Sequence, residues 1–124
     1  MKRISTGSPF EKTFGYSRAI VKGGWCFVSG VTGYDYTTMK MPEGISAQAR
    51  NCFGTIDSVL AEAGFEMADI VRVQYTVTDC DLVDELVPVL GEAMRDIRPA
   101  ATMVIAGLIK PEMLVEIEVT AFKG

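Results

Sequence analysis

The sequence predicts an α+β domain in which two helices lie on one face of a sheet. Three observations predict it. Residues 113–122, MLVEIEVTAF, alternate strictly between apolar and mostly polar positions, as a half-buried strand does. Residues 70–78 do the same. Between and before these strands, 45–63 and 82–97 repeat their apolar residues at three- and four-residue steps, which is the helical period. At 124 residues, the length supports one domain spanning 1–124. Hydrophobic residues at 48% and charged residues at 23% exclude disorder.

The elements follow in chain order. Residues 1–5 form a short leading strand. Arg18–Val21 and Trp25–Ser29 flank Lys22-Gly23-Gly24, a glycine pair suited to a hairpin turn. From Val31 to Gly44 the pattern dissolves into a loop of Gly, Asp, Thr and Pro. Loops of this length in small domains are often functional. The first helix carries Ile45, Ala49, Cys52, Phe53, Ile56, Val59, Leu60 and Ala63 on one stripe, and Gly64 ends it. The next strand places Val71, Val73, Tyr75 and Val77 on one face and Arg72, Gln74, Thr76 and Thr78 on the other. Asp79 or Asp81 caps a second helix, with Pro88 expected to kink or split it and Arg98-Pro99 to end it. Strands at 101–106 and 113–122 complete the order β-β-β-α-β-α-β-β.

Two helices cover one side of such a sheet. The other side mixes Arg72, Gln74, Glu116 and Glu118 with Leu114 and Phe122. Exposed, it would be more uniformly polar; as a second core, it would bury unpaired charge. A subunit interface with charged sites embedded in it fits both facts, so the chain is expected to self-associate.

Composition removes several chemistries. There is no histidine, which excludes Ser-His-Asp and Cys-His catalysis and HExxH zinc sites within this chain. The three cysteines, Cys26, Cys52 and Cys80, are widely spaced with no CxxC pair. They read as reduced thiols of a cytoplasmic protein rather than a disulfide framework or a metal site. A net charge of −4 argues against a nucleic-acid partner. No apolar run approaches the roughly 20 residues of a membrane span, and MKRISTGSPF lacks the apolar segment of a secretory signal.

Seven segments, in order, then carry a family resemblance. They are Gly15-Tyr16-Ser17, Phe27-Val28-Ser29-Gly30, Asp69-Ile70-Val71, Thr78-Asp79, Arg98-Pro99-Ala100, Ala106-Gly107-Leu108 and Val115-Glu116-Ile117-Glu118. Together they resemble the RidA family, also called YjgF or YER057c-like proteins. The resemblance implies a chorismate-mutase-like fold, a homotrimer packed through the open sheet face, and small-molecule clefts between subunits. It implies hydrolysis of imine and enamine intermediates such as 2-iminopropanoate and 2-iminobutanoate, with no cofactor. In such members a glutamate of the last strand positions water, and Glu116 matches it. An arginine after the Pro-Ala of the preceding strand grips the substrate carboxylate. Here the segment reads Ala100-Ala101-Thr102-Met103, and alanine takes that arginine's place however the one-residue gap is set.

The candidate catalytic residue is therefore Glu116, with inter-subunit pairing to Arg72 or Arg98 as the plainer reading. The candidate substrate-binding residues are Tyr16, Arg18, Ser29, Gly30 and Thr102. Tyr16 matches a cleft residue of the family, and Ser29-Gly30 matches the stretch that lines it. Arg18 follows Tyr16 by two residues in an extended segment, so both point the same way and Arg18 is a candidate anchor for an anionic ligand; the alternative is a solvated hairpin arginine. Trp25, Tyr34 and Tyr36 are candidates for an aromatic lid. Three functions remain: an imine or enamine hydrolase with altered substrate recognition, a non-catalytic trimer binding a metabolite, and a ribonuclease or translation inhibitor. The acidic balance and lack of a basic-aromatic patch place the third last.

Overall fold

The structure is a computed structural model that describes all 124 residues. Six strands, β1 (Lys2–Ile4), β2 (Ala19–Lys22), β3 (Trp25–Thr32), β4 (Ile70–Val77), β5 (Ala100–Ile105) and β6 (Val115–Phe122), form one sheet in the order β1-β2-β3-β6-β4-β5. Only β4 and β5 pair in parallel; every other neighbour is antiparallel. The predicted α+β class and element order hold, with one addition. A short helix, α1 (Pro9–Phe14), precedes β2. Its signals were present in the sequence. Ser8 accepts a hydrogen bond from the Phe10 N–H at 3.2 Å, Pro9 opens the first turn, and Gly15 closes it at φ 76°.

Helix α2 (Ile45–Ala63) buries the expected stripe against β3 and β6, and α3 (Val83–Met94) packs beside it. Pro88 lies inside α3, which continues through it as one assigned helix. The proline forgoes one backbone bond on a helix whose stability comes from burying Leu86, Val89 and Met94. Asp79 caps a single turn ahead of α3 rather than α3 itself, accepting from the Asp81 N–H at 2.8 Å.

The core unites Ile45, Cys52, Ile56 and Leu60 of α2 with Val73, Tyr75 and Val77 of β4 and Val115, Ile117 and Val119 of β6. One expected core residue is displaced. The register of β4 against β6 shifts between Ile70 and Arg72, so Ile70 turns inward and Val71 is 43% exposed. Leu114, expected on the open face, precedes β6 and packs against the core.

Gln48 is a polar residue on the apolar stripe of α2, 2% exposed and fully engaged. Its Nε2 donates to the carbonyls of Pro42 and Glu112, and its Oε1 accepts from the Leu114 N–H. One side chain thereby ties the 33–44 loop and the segment before β6 to the helix. Gly33 permits this approach, because a Cβ there would stand 2.6 Å from the Gln48 Cβ. No helix is long and apolar enough to cross a membrane.

Candidate functional site

A pocket of about 240 Å3 opens where α1, the end of β3, the 33–44 loop and the segment before β6 meet. The register of β3 against β6 slips between Val28 and Val31, leaving Ser29 and Gly30 as a bulge. Beyond the bulge, Thr32 pairs with Glu116, which brings both side chains to the open face beside Gly30. Glycine at position 30 leaves the space that this carboxyl occupies. A Cβ on it would lie 2.7 and 2.8 Å from the two carboxylate oxygens of Glu116.

Glu116 is half-buried at this point. Burial pushes its carboxyl above the ordinary carboxylate value, Glu118 pushes the same way, and the Arg18 guanidinium offsets part of the rise. A carboxylate so placed is a stronger base than one in water. The walls are apolar: Phe10 and Phe14 from α1, Tyr16, Tyr36, and Ile109 and Met113 from the segment before β6. Ser29, Gly30 and Thr32 supply the other polar atoms.

The structure gathers Tyr16, Ser29, Gly30 and Glu116 around this one pocket. The Ser29 N–H is already committed to the Arg18 carbonyl at 2.9 Å, and its hydroxyl donates to the Ser17 carbonyl at 2.7 Å. Its hydroxyl oxygen is left as an acceptor. Tyr16 accepts from Arg18 Nη2 at 3.3 Å, so the phenolic proton remains available to a ligand.

Arg18 points with Tyr16, as expected, yet it neither lines the pocket nor meets solvent. It is 1% exposed. Its Nη1 donates to the Gly30 carbonyl at 2.7 Å, and its guanidinium stacks 4.9 Å from the Tyr36 ring centroid and 5.5 Å from that of Tyr16. Its Nε faces Glu11 of α1 at 3.8 Å, without a hydrogen bond. The alternative of a solvated hairpin arginine is overturned, because α1 and Tyr36 close over Arg18. Glu11 is buried as well. Burial raises its pKa, but bonds from the Thr6 hydroxyl at 2.6 Å and N–H at 3.1 Å, with Ser5 and Arg18, bring it below the ordinary value.

Thr102 stands apart. It lies exposed on β5, at the opposite edge of the open face, three strand spacings or about 14 Å from β3. The aromatic-lid expectation divides similarly. Tyr36 walls the pocket with Tyr34 behind it, ring centroids 6.2 Å apart, whereas Trp25 stacks on Phe27 and packs tilted against Phe122 at the other end of β3. Cys26 and Cys52 are buried and burial raises both thiols, while Cys80 is exposed beside Asp79 and Asp81. Phe10, Phe14, Ile109 and Met113 were not found from sequence. The capped helix signals of α1 would have found the first two, but no local pattern points to the others.

This fold and pocket define a small α+β protein with an apolar pocket floored by one glutamate. The family model described as Endoribonuclease L-PSP matches residues 6–123, and the chain belongs to this family, that of the RidA/YjgF proteins. The crystal structure of a Mycobacterium tuberculosis member of the YjgF/YER057c/UK114 family is 38% identical, with a TM-score of 0.90 over 98% of each chain. That of RidA from an Antarctic Psychrobacter is 27% identical, with a TM-score of 0.88 over 99% of each. A RutC family protein of Aquifex aeolicus is 31% identical over 125 residues, covering 99% of this chain and 100% of its own.

Proposed function

We propose that this pocket hydrolyses imines or their enamine tautomers, with Glu116 as the base that activates water. The observation that carries the reading is the Glu116 carboxyl, half-buried against Gly30 with its basicity raised. In the proposed step Glu116 takes a proton from water as the water oxygen bonds to the C=N carbon, whose π electrons move to nitrogen. Starting from the protonated imine, Glu116 then returns that proton to the carbinolamine nitrogen, and the C–N bond breaks to release ammonia as the hydroxyl proton passes back to Glu116 and the carbonyl forms. Tyr16 donates to the ligand from the wall. The RidA resemblance supports the same chemistry, and none of it requires a cofactor.

The working unit in this reading is a homotrimer packed through the open sheet face. Supporting it are Phe27, Phe122 and Val104, which are 48%, 41% and 37% exposed on that face. All of β5 is likewise exposed or half-buried, which leaves Thr102 open to contact with a neighbouring copy. Alanine in place of the family arginine supports altered substrate recognition. It equally favours a second reading, a trimer that binds a metabolite without turnover. The family model's name suggests RNA cleavage, which a net charge of −4 and a carboxylate-floored pocket oppose.

An imine generated in situ by an amino-acid or amine oxidase, with semicarbazide competing for it, tests the reading. Hydrolysis faster than the uncatalysed rate, and lost in Glu116→Gln, is the expected result. Acceleration that survives this substitution overturns the role of Glu116, and no acceleration with any imine leaves the binding reading.

A further inference from the structure

We infer that the pocket selects a cationic ligand with an apolar group, a protonated imine or amine, over a carboxylate-bearing one; this rests on the pocket being the ligand site proposed above. Among the lining residues the only charged group is Glu116, and Glu118 on the same face adds a second negative charge nearby. The cation hydrogen-bonded to the pocket's own residues is Arg18. It is sealed from the pocket, with Nη1 committed to the Gly30 carbonyl, Nη2 to Tyr16, and both ring faces above it occupied. Its remaining nitrogen, Nε, faces Glu11 on the far side. An anionic ligand would thus meet Glu116 without a cation that this chain can present to it.

A second copy adds no cation from β5 itself, where each chain carries Ala100, Ala101 and Thr102; Arg72 beside it donates to Gln74 Oε1 at 3.1 Å, and the contribution of Arg98 ahead of it is read from Arg98→Ala alongside wild type. A protonated imine meets the opposite situation. Its positive nitrogen is attracted to the carboxylate in a partly desolvated site, where charge interactions exceed those in water. The rest of the ligand meets Phe10, Phe14, Ile109 and Met113. Phe14 and Ile109 are 60% and 65% exposed in the single chain, apolar surface that a bound group would cover. The volume, about 240 Å3, lies under the roughly 300–1,000 Å3 of sites for drug-sized ligands, so one ring or a branched chain is the fitting scale. Hydrolysis of such a ligand balances as R–CH=NH2+ plus water giving R–CHO plus NH4+.

Calorimetric titration of the full chain with phenethylammonium and with 3-phenylpropanoate tests this, since the two carry a phenyl group with opposite charges. The expected result is at least tenfold tighter binding of the ammonium, with the preference lost in Glu116→Gln. Equal or tighter binding of the carboxylate, or no measurable binding of either, overturns the inference. Imine hydrolysis is scored separately on the same preparations. Glu116-dependent turnover of 2-iminopropanoate with a carboxylate preference keeps the hydrolase reading and rejects this one; ammonium preference without turnover does the reverse.

Discussion

The α-carbon of Gly30 lies so close to Glu116 that a single added methyl would overlap the carboxyl group. The contact joins the β3 bulge to the last strand, and it makes the carboxylate position depend on a residue with no side chain. Gly30 is among the glycines without a positive φ, so steric room rather than backbone conformation demands glycine here. Gly30→Ala is therefore expected to displace Glu116 and to lower turnover about a hundredfold, the usual cost of a 1 Å misplacement. Steady-state kinetics beside a thermal melt would check this. An active Gly30→Ala protein would show that the carboxylate position does not matter.

The Glu11–Arg18 pair fastens α1, and with it Phe10 and Phe14, to the pocket floor. Glu11 has a folded pKa below its unfolded one, so its stabilisation is present at neutral pH. That stabilisation fades as pH falls below about 4.5 through the lowered value. Glu11→Gln leaves Arg18 buried without its countercharge, at a cost of roughly 3 kcal/mol. Urea unfolding at pH 7 and at pH 3 should show a larger difference from wild type at the first than at the second. Equal differences at both would remove the charge of Glu11 from the account.

Phe27 is 48% exposed within one chain and sits in the aromatic cluster with Trp25 and Phe122 on the open face. Phe27→Asp should cost the isolated fold about 1 kcal/mol or less while dissociating the proposed trimer. Sedimentation is expected to fall from three times 13.5 kDa to 13.5 kDa with circular dichroism unchanged. Unfolding in step with dissociation would mean that subunit and assembly are not separable at this face.

What the sequence made legible was local and periodic. The α2 stripe from Ile45 to Leu60 needs only a helix and a core, and it appears as written. The alternation of β6 likewise survives, because Val115, Ile117, Val119 and Ala121 are all buried on the side that α2 covers. Val71 fails because a one-residue bulge reverses the parity that alternation assumes, and nothing in Asp69-Ile70-Val71 marks it. The direction of Arg18 was readable from its spacing to Tyr16. Its burial was not, since the groups that close over it come from α1 and from Tyr36 in the loop. Gln48 shows the converse: a polar side chain at an i+3 position on an apolar stripe is itself a sign of buried hydrogen bonds.

The most direct test of the account is the pH dependence of kcat/KM for imine hydrolysis, compared among wild type, Glu116→Gln and Glu118→Gln. Burial and Glu118 both raise the Glu116 carboxyl, so the rate should fall in acid with a midpoint above the ordinary 4.5, as the base becomes protonated. Glu118→Gln should move that midpoint downward, and Glu116→Gln should abolish the limb together with at least a hundredfold of the rate. An acid limb that persists unchanged in Glu116→Gln would contradict the assignment of Glu116 as the base.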